Sequence, residues 1–180
     1  WACGRVSIYN TNESAIVTYV KILIKELSGR ISEVTVIDVV QSIWAASKVG
    51  VRPDDCSELR IIIAHAGLVS DCMSTREICT VVGSLARMRA REYDVIKRLT
   101  SRFKKACDPI PSPDEAASLI FSLGRLNMRD RVSMTYLGSV LLHNPAEING
   151  QAVARVLWAY RKVQMTAPPS HLDHWGEEKL

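Results

Sequence analysis

Little in this chain is of the kind that usually carries chemistry. No apolar run reaches the roughly 18 residues that a membrane-crossing helix needs, so no membrane partner is expected. The five cysteines (Cys3, Cys56, Cys72, Cys79 and Cys107) form no CxxC pair and show no zinc-ligand spacing. An odd, scattered set at core-like positions points instead to reduced thiols in a reducing compartment, packed as small apolar residues. No nucleophile elbow, phosphate-cradling glycine loop, HExxH motif or telling pair of carboxylates occurs. The sequence therefore predicts no enzyme, no catalytic residue, no cofactor and no small-molecule substrate. His171 and His174 stand at i, i+3 with no further ligand nearby, so no metal site is expected there. Linkers and low-complexity tracts are also missing.

What is present is repetition. Trp1-Ala2-Cys3-Gly4-Arg5-Val6, Trp44-Ala45-Ala46-Ser47-Lys48-Val49, Gly83-Ser84-Leu85-Ala86-Arg87-Met88, Phe121-Ser122-Leu123-Gly124-Arg125-Leu126 and Trp158-Ala159-Tyr160-Arg161-Lys162-Val163 follow one pattern, with starts 43, 39, 38 and 37 positions apart. A large aromatic, replaced once by Gly83, precedes a small residue. Four positions after the aromatic comes a base, then an apolar residue. Lys and Arg make up only 23 of 180 residues, so a base in every one of these slots is not chance. A period of this length marks a repeat array.

Nine residues before the aromatic stands a further column: Thr35, Ser74, Ser112 and Asn149. All are preferred helix N-caps, whose side-chain oxygens satisfy N–H groups of the first turn. Ser74…Glu77 and Ser112…Glu115 read as capping boxes, and Pro113 takes the position after its cap where proline is favoured. Each unit thus opens with a first helix of about 13 residues, and in 36–47 the residues Val36, Val40, Ile43, Trp44 and Ser47 share one face. Second helices are expected over 16–27, 59–68, 93–103 and 132–142, with prolines at Pro53, Pro109, Pro111 and Pro145 punctuating the turns. The Ile61-Ile62-Ile63 run reads as buried helix rather than strand because of its place in the repeat.

The fold class expected is all-α, an α-solenoid of stacked helix-turn-helix repeats of about 37–39 residues. The units are 1–31 (partial), 32–73, 74–111, 112–148 and 149–180 (partial), forming one solenoid segment. One hairpin cannot bury its own apolar faces, and stacking covers them. A Trp removes roughly 150–250 Å² from water, so the aromatic column reads as core. The small residue beside it lets neighbouring helices approach. At Gly83 a larger neighbour is expected to fill the space, or the array to bend. Trp1 falls within a repeat's first helix, and residues after Pro168-Pro169-Ser170 look like the opening of another second helix, so 1–180 reads as a segment of a longer protein.

Net charge is only +4, yet residues 87–105 hold Arg87, Arg89, Arg91, Lys97, Arg98, Arg102, Lys104 and Lys105 against Glu92 and Asp94. That is +6 within 19 residues, the footprint of a polyanion partner. Arg125, Arg129 and Arg131 continue it. The basic column (Arg5, Lys48, Arg87, Arg125, Lys162) has two compatible explanations: cations meeting the C-terminal ends of helix dipoles, or a ladder of charges meeting successive phosphates. His65 and His143, inside apolar second helices, read as partly buried structural residues. Tryptophans stack on bases in many nucleic-acid sites, but three of the four here hold the aromatic column and read as packing, and Trp175 lies outside the pattern.

The motif carried best by Ser42-Ile43-Trp44-Ala45-Ala46-Ser47-Lys48-Val49 and Val156-Leu157-Trp158-Ala159-Tyr160-Arg161-Lys162-Val163 resembles the octotricopeptide repeats of algal organelles. It is equally similar to the heptatricopeptide repeats of apicomplexan mitochondrial proteins and their relatives with RAP or FAST-kinase-like domains. The absence of a Pro-Gln pair before each first helix, with Gly83 and Phe121 in place of Trp, favours the shorter mitochondrial relatives. No RAP domain is visible in 1–180. The resemblance implies an organellar RNA-binding protein acting in RNA stability, processing, translation or ribosome assembly. Some such relatives are built into mitochondrial ribosomes, and the expectation for this chain is a ribosome component of the mitochondrial matrix that contacts ribosomal RNA among the neighbouring proteins of a large assembly. The site residues expected for RNA are those of the 87–105 cluster with Arg125, Arg129, Lys48 and Lys162. The alternative is a protein-protein interaction scaffold of armadillo or tetratricopeptide type.

Overall fold

Four helices open in the same way. Thr35, Ser74, Ser112 and Asn149 all adopt extended backbone, and the side chain of each accepts a hydrogen bond from the N–H three residues on. The Asn149 Oδ1 bond from the Ala152 N–H is 2.8 Å. Glu77 and Glu115 reach back to the N–H of their own caps at 2.8 and 3.0 Å, closing both expected boxes. A third box joins Thr35 and Asp38. The bonds from Thr35 hold the Asp38 carboxyl below its ordinary range.

The computed structural model describes residues 13–105, 111–143 and 145–164, and among them every regular element is helical. The elements are α1 (Glu13–Gly29), α2 (Val36–Val49), α3 (Ser57–Leu68), α4 (Thr75–Met88), α5 (Tyr93–Lys105), α6 (Pro113–Leu126), α7 (Arg131–His143) and α8 (Gly150–Lys162). Single 3₁₀ turns lie at Ile31–Glu33, Ser70–Cys72 and Pro145–Glu147. The first helices expected after Thr35, Ser74, Ser112 and Asn149 and the four second helices expected over 16–27, 59–68, 93–103 and 132–142 are present, most ends extended by one to three residues. The helix expected after Pro168-Pro169-Ser170 lies outside the described residues. The first copy of the motif, from Trp1, lies outside the described residues, as do Cys3, Cys107 and the segment with His171, His174 and Trp175.

The ends of the first helices repeat as faithfully as their starts. Gly50, Arg89, Asn127 and Gln164 have φ of 82°, 57°, 56° and 54°. Each follows the aromatic column (Trp44, Gly83, Phe121, Trp158) by six residues. The N–H of the residue after the first three bonds back to a carbonyl at 2.9–3.0 Å: Val51 to Ala46, Ala90 to Leu85, Met128 to Leu123. This is the Schellman closure, in which a left-handed residue lets the chain turn back over the last helical carbonyls.

The chain divides into two compact units, Trp1–Ile110 and Pro111–Leu180. In the first unit α2 packs on α4, α1 on α3 and α3 on α5, while α1 with α2, α2 with α3 and α4 with α5 also touch. In the second, α6 packs on both α7 and α8. Alternate helices therefore lie side by side in each unit. The core of the first holds Ile43, Leu59, Ile62, Ile78, Leu85, Ile96, Leu99 and Phe103, and that of the second Ile120, Leu123, Met134, Leu137 and Val163.

The helices of the second unit approach closely at one point. A Cβ placed on Gly124 of α6 would lie 2.7 Å from Ala159 Cβ and 2.8 Å from Ala159 Cα of α8. Tyr160 of α8 is buried, its hydroxyl donates to the Met134 carbonyl of α7 at 2.9 Å, and burial pushes its phenol above the ordinary value.

Several expectations about depth are corrected. The aromatic column is not core: Trp44 and Phe121 are half-buried and Trp158 is 44% exposed. The adjoining small residues Ala45, Ser84, Ser122 and Ala159 are the buried ones. Helical spacing fixes which face a residue takes but not how far inward it sits, and a bulky ring beside a small residue is turned to the rim. Of the isoleucine run, Ile62 and Ile63 are buried and Ile61 is exposed. Cys56 is buried, and burial raises its thiol pKa, but Cys72 is exposed. His143 is exposed too, its Nδ1 2.8 Å from the Ser139 carbonyl. Helix α4 runs unbroken through Gly83, and a groove of about 500 Å³ opens between Trp44 of α2 and Thr80 of α4.

Candidate nucleic-acid interface

The residues of 87–105 are distributed over two helices and the turn between them. Arg87 belongs to the last turn of α4, Arg89 is its left-handed cap, and Arg91 is in the following loop. The remaining five are on α5, whose Ile96, Leu99, Thr100 and Phe103 are buried. That inward face fixes the outward one. Lys97, Ser101 and Lys105 follow at i, i+4 and i+8, with Arg98 and Arg102 beside them, so they form one strip along the helix. From Lys97 to Lys105 the strip runs about 12 Å at 1.5 Å per residue.

Lys97, Arg98, Arg102 and Lys105 line a groove of about 520 Å³ whose other wall is Gly67 and Leu68 of α3 with Ser70 and Asp71 of the following turn. Gly67 is buried, and a Cβ there would meet the Val95 and Arg98 side chains at 3.5–3.7 Å, ordinary van der Waals contact, which marks how closely α5 lies against α3 at this point. The Arg102 Nε donates to the Asp71 carbonyl at 3.2 Å, which orients the guanidinium over the groove. Asp71 and Asp94 also border it. Even so, among the described residues no cation of the cluster has a carboxylate within ion-pair distance; the ion pair seen there joins Arg60 and Asp54. Uncompensated cations packed at helical spacing repel one another, and an anion in the groove would relieve that.

The structure divides the expected site residues. Lys97, Arg98, Arg102 and Lys105 come together in the groove; Lys104 is on α5 outside its lining. The described members of the basic column are all exposed, and two of them also make contacts within the fold. The Lys48 ammonium lies 5.6 Å from the centroid of the Trp44 ring. The Arg87 Nη1 donates to Ser47 Oγ at 2.8 Å across 40 positions of sequence, and that hydroxyl donates to the Trp44 carbonyl at 2.8 Å. Arg87 thereby fastens α4 to α2. Arg125 and Lys162 are exposed in the last turns of α6 and α8, where they face the carbonyl ends of their helices. Arg129 donates from Nη2 to Gln164 Oε1 at 2.7 Å.

Gly67, Ser70 and Asp71 gave no functional signal in the sequence. They precede the cations they face by about 30 positions, and only the packing of α3 on α5 joins them.

Among the described residues no helix is long and apolar enough to cross a membrane, and no group of three or more His, Cys, Asp or Glu is placed to hold a metal ion. No family model matches the chain, and no curated protein matches it.

Proposed function

We propose that this chain is an α-solenoid of helical hairpins that binds RNA through the α3–α5 groove. The observation that carries the reading is the strip of Lys97, Arg98, Arg102 and Lys105, with no ion-pairing carboxylate among the described residues, set in a groove open along the helix. The solenoid reading is supported by the shared caps and the packing of alternate helices within each unit. Four cations facing a backbone give an interaction that is electrostatic and largely blind to base identity. The resemblance to heptatricopeptide-type repeats extends the proposal to a mitochondrial ribosome component holding ribosomal RNA among neighbouring proteins. In that setting Arg87 has a mainly structural role, and Lys48, Arg89, Arg91, Lys104, Arg125, Arg129 and Lys162 are peripheral contacts.

The test is retention of single-stranded RNA by the folded chain. Arg98→Glu with Arg102→Glu is expected to abolish most retention. The milder Arg98→Gln with Arg102→Gln is expected to reduce the slope of log affinity against log salt by about 1.4, roughly 0.7 per lost phosphate contact. Unchanged retention and slope in folded variants would remove the groove from the interface. Capture of a protein partner that survives nuclease treatment, with no RNA retained, would favour the scaffold.

A further inference from the structure

The two units treat one repeat position differently. In the second, the Phe121 ring of α6 meets the Trp158 ring of α8 with centroids 5.2 Å apart and planes inclined at 52°. The Arg155 guanidinium adds a cation 5.8 Å from the Phe121 centroid. In the first unit the same columns hold Trp44 on α2 in place of Phe121, Gly83 on α4 in place of Trp158, and Thr80 in place of Arg155. The platform is kept, while the ring and the guanidinium that would cover it are replaced by the smallest residue and a short hydroxyl.

Helical side chains lean toward the N-terminus of their helix. A ring at position 83 would accordingly lie over the preceding turn, beside Thr80 and Arg76. The groove of about 500 Å³ beside Trp44 opens there, a volume in the range of small-ligand sites. Its apolar side is Ile37, Val40 and the Trp44 ring; its polar rim is Gln41, Arg76, Thr80 and Glu77, whose carboxylate accepts from the Ser74 N–H and hydroxyl at 2.8 Å. The Thr80 hydroxyl donates to the Arg76 carbonyl at 2.9 Å, which leaves its oxygen free to accept, while Gln41 offers both a donor and an acceptor. A Lys48 ammonium stands 5.6 Å from the same ring.

We propose that the slot over Trp44 takes one unpaired base of a bound RNA strand, standing where unit two places its own Trp158. The base stacks on the indole, its edge meets Gln41 and Arg76, and Lys48 faces the phosphate that accompanies it. The proposal rests on the RNA-binding reading above and adds to it a contact that the backbone groove does not supply: a grip on bases. Stacking of this kind is tolerant of base identity because every base has a π-face.

The experiment compares two single-stranded ribo-oligomers of about 12 nucleotides on the 180-residue chain, one with bases and one abasic, by fluorescence anisotropy. The chain is expected to prefer the oligomer with bases. Gly83→Trp, which supplies the missing ring from within, and Trp44→Leu, which removes the platform, should each weaken that binding by about 5- to 150-fold and leave the abasic oligomer unaffected. Trp44→Phe should retain most of the preference. Circular dichroism shows which variants fold, and either slot variant alone suffices. Folded slot variants that bind both oligomers as the parent does overturn the proposal. Arg98→Glu with Arg102→Glu should weaken both oligomers alike. If that pair has no effect while the slot variants do, the groove reading fails and the slot stands. A parent chain that binds neither oligomer overturns both.

Discussion

At the residue scale, the four left-handed residues form a column that selection on sequence alone does not advertise, because Gly50, Arg89, Asn127 and Gln164 share no chemistry. What they share is backbone: each lies six residues after the aromatic position, the first three as the cap of a first helix and Gln164 one residue past the cap. Gly and Asn tolerate this conformation, whereas an ordinary side chain costs roughly 1–2 kcal/mol there. Arg89 is thus under strain at a position where Gly50 shows the unstrained solution. Arg89→Gly should raise stability by about 1 kcal/mol, read as a higher urea midpoint with an unchanged slope. A neutral or destabilising result would mean that the arginine side chain makes a compensating contact. The same variant should only slightly weaken RNA retention, because Arg89 is outside the α3–α5 groove.

Elements were the scale at which the sequence could be read best. Thr35, Ser74, Ser112 and Asn149 announced where first helices begin because a cap oxygen is a local requirement written into one residue and its third neighbour. Depth was not legible in the same way. Trp44, Phe121 and Trp158 occupy the face predicted for them but stand at its rim, since periodicity encodes direction and not distance from the axis of the core. The groove was half legible: α5 carried its cations openly, while Gly67 and Asp71 joined them only through helix packing. Gly124 is the sharpest case of an interhelical constraint. It sits at the position held by Ser47 in the second repeat, yet here the Ala159 backbone comes so near that even a methyl group has no room. Gly124→Ala gains up to about 1 kcal/mol in helix propensity and loses about 1–3 kcal/mol to overpacking. The net expectation is destabilisation, accompanied by loss of the near-ultraviolet dichroism of the Phe121–Trp158 pair. A more stable variant with that signal intact would show that α6 and α8 separate without penalty.

For the whole molecule, the question is whether polyanion binding follows total charge or its placement. The chain carries +4, and 87–105 alone carries +6, so everything outside that stretch sums to −2. A strand attracted to the molecule as a whole would sense a weak net field, whereas one seated in the groove would sense a dense local one. Distance separates the two cases. Helix α1 packs on α3 and α3 on α5, and packed helix axes lie about 8–10 Å apart. Charges on α1 are therefore about two helix spacings from the α5 cations, beyond the roughly 8 Å over which physiological salt lets exposed charges interact. Lys21→Gln with Lys25→Gln lowers net charge by as much as Arg98→Gln with Arg102→Gln. At physiological salt the α1 pair should leave RNA affinity within about twofold, since screening removes its contribution, while the α5 pair weakens it severalfold or more and flattens the salt slope. Equal losses from the two pairs would mean that RNA responds to the overall field, and the groove would then have no privileged place in binding.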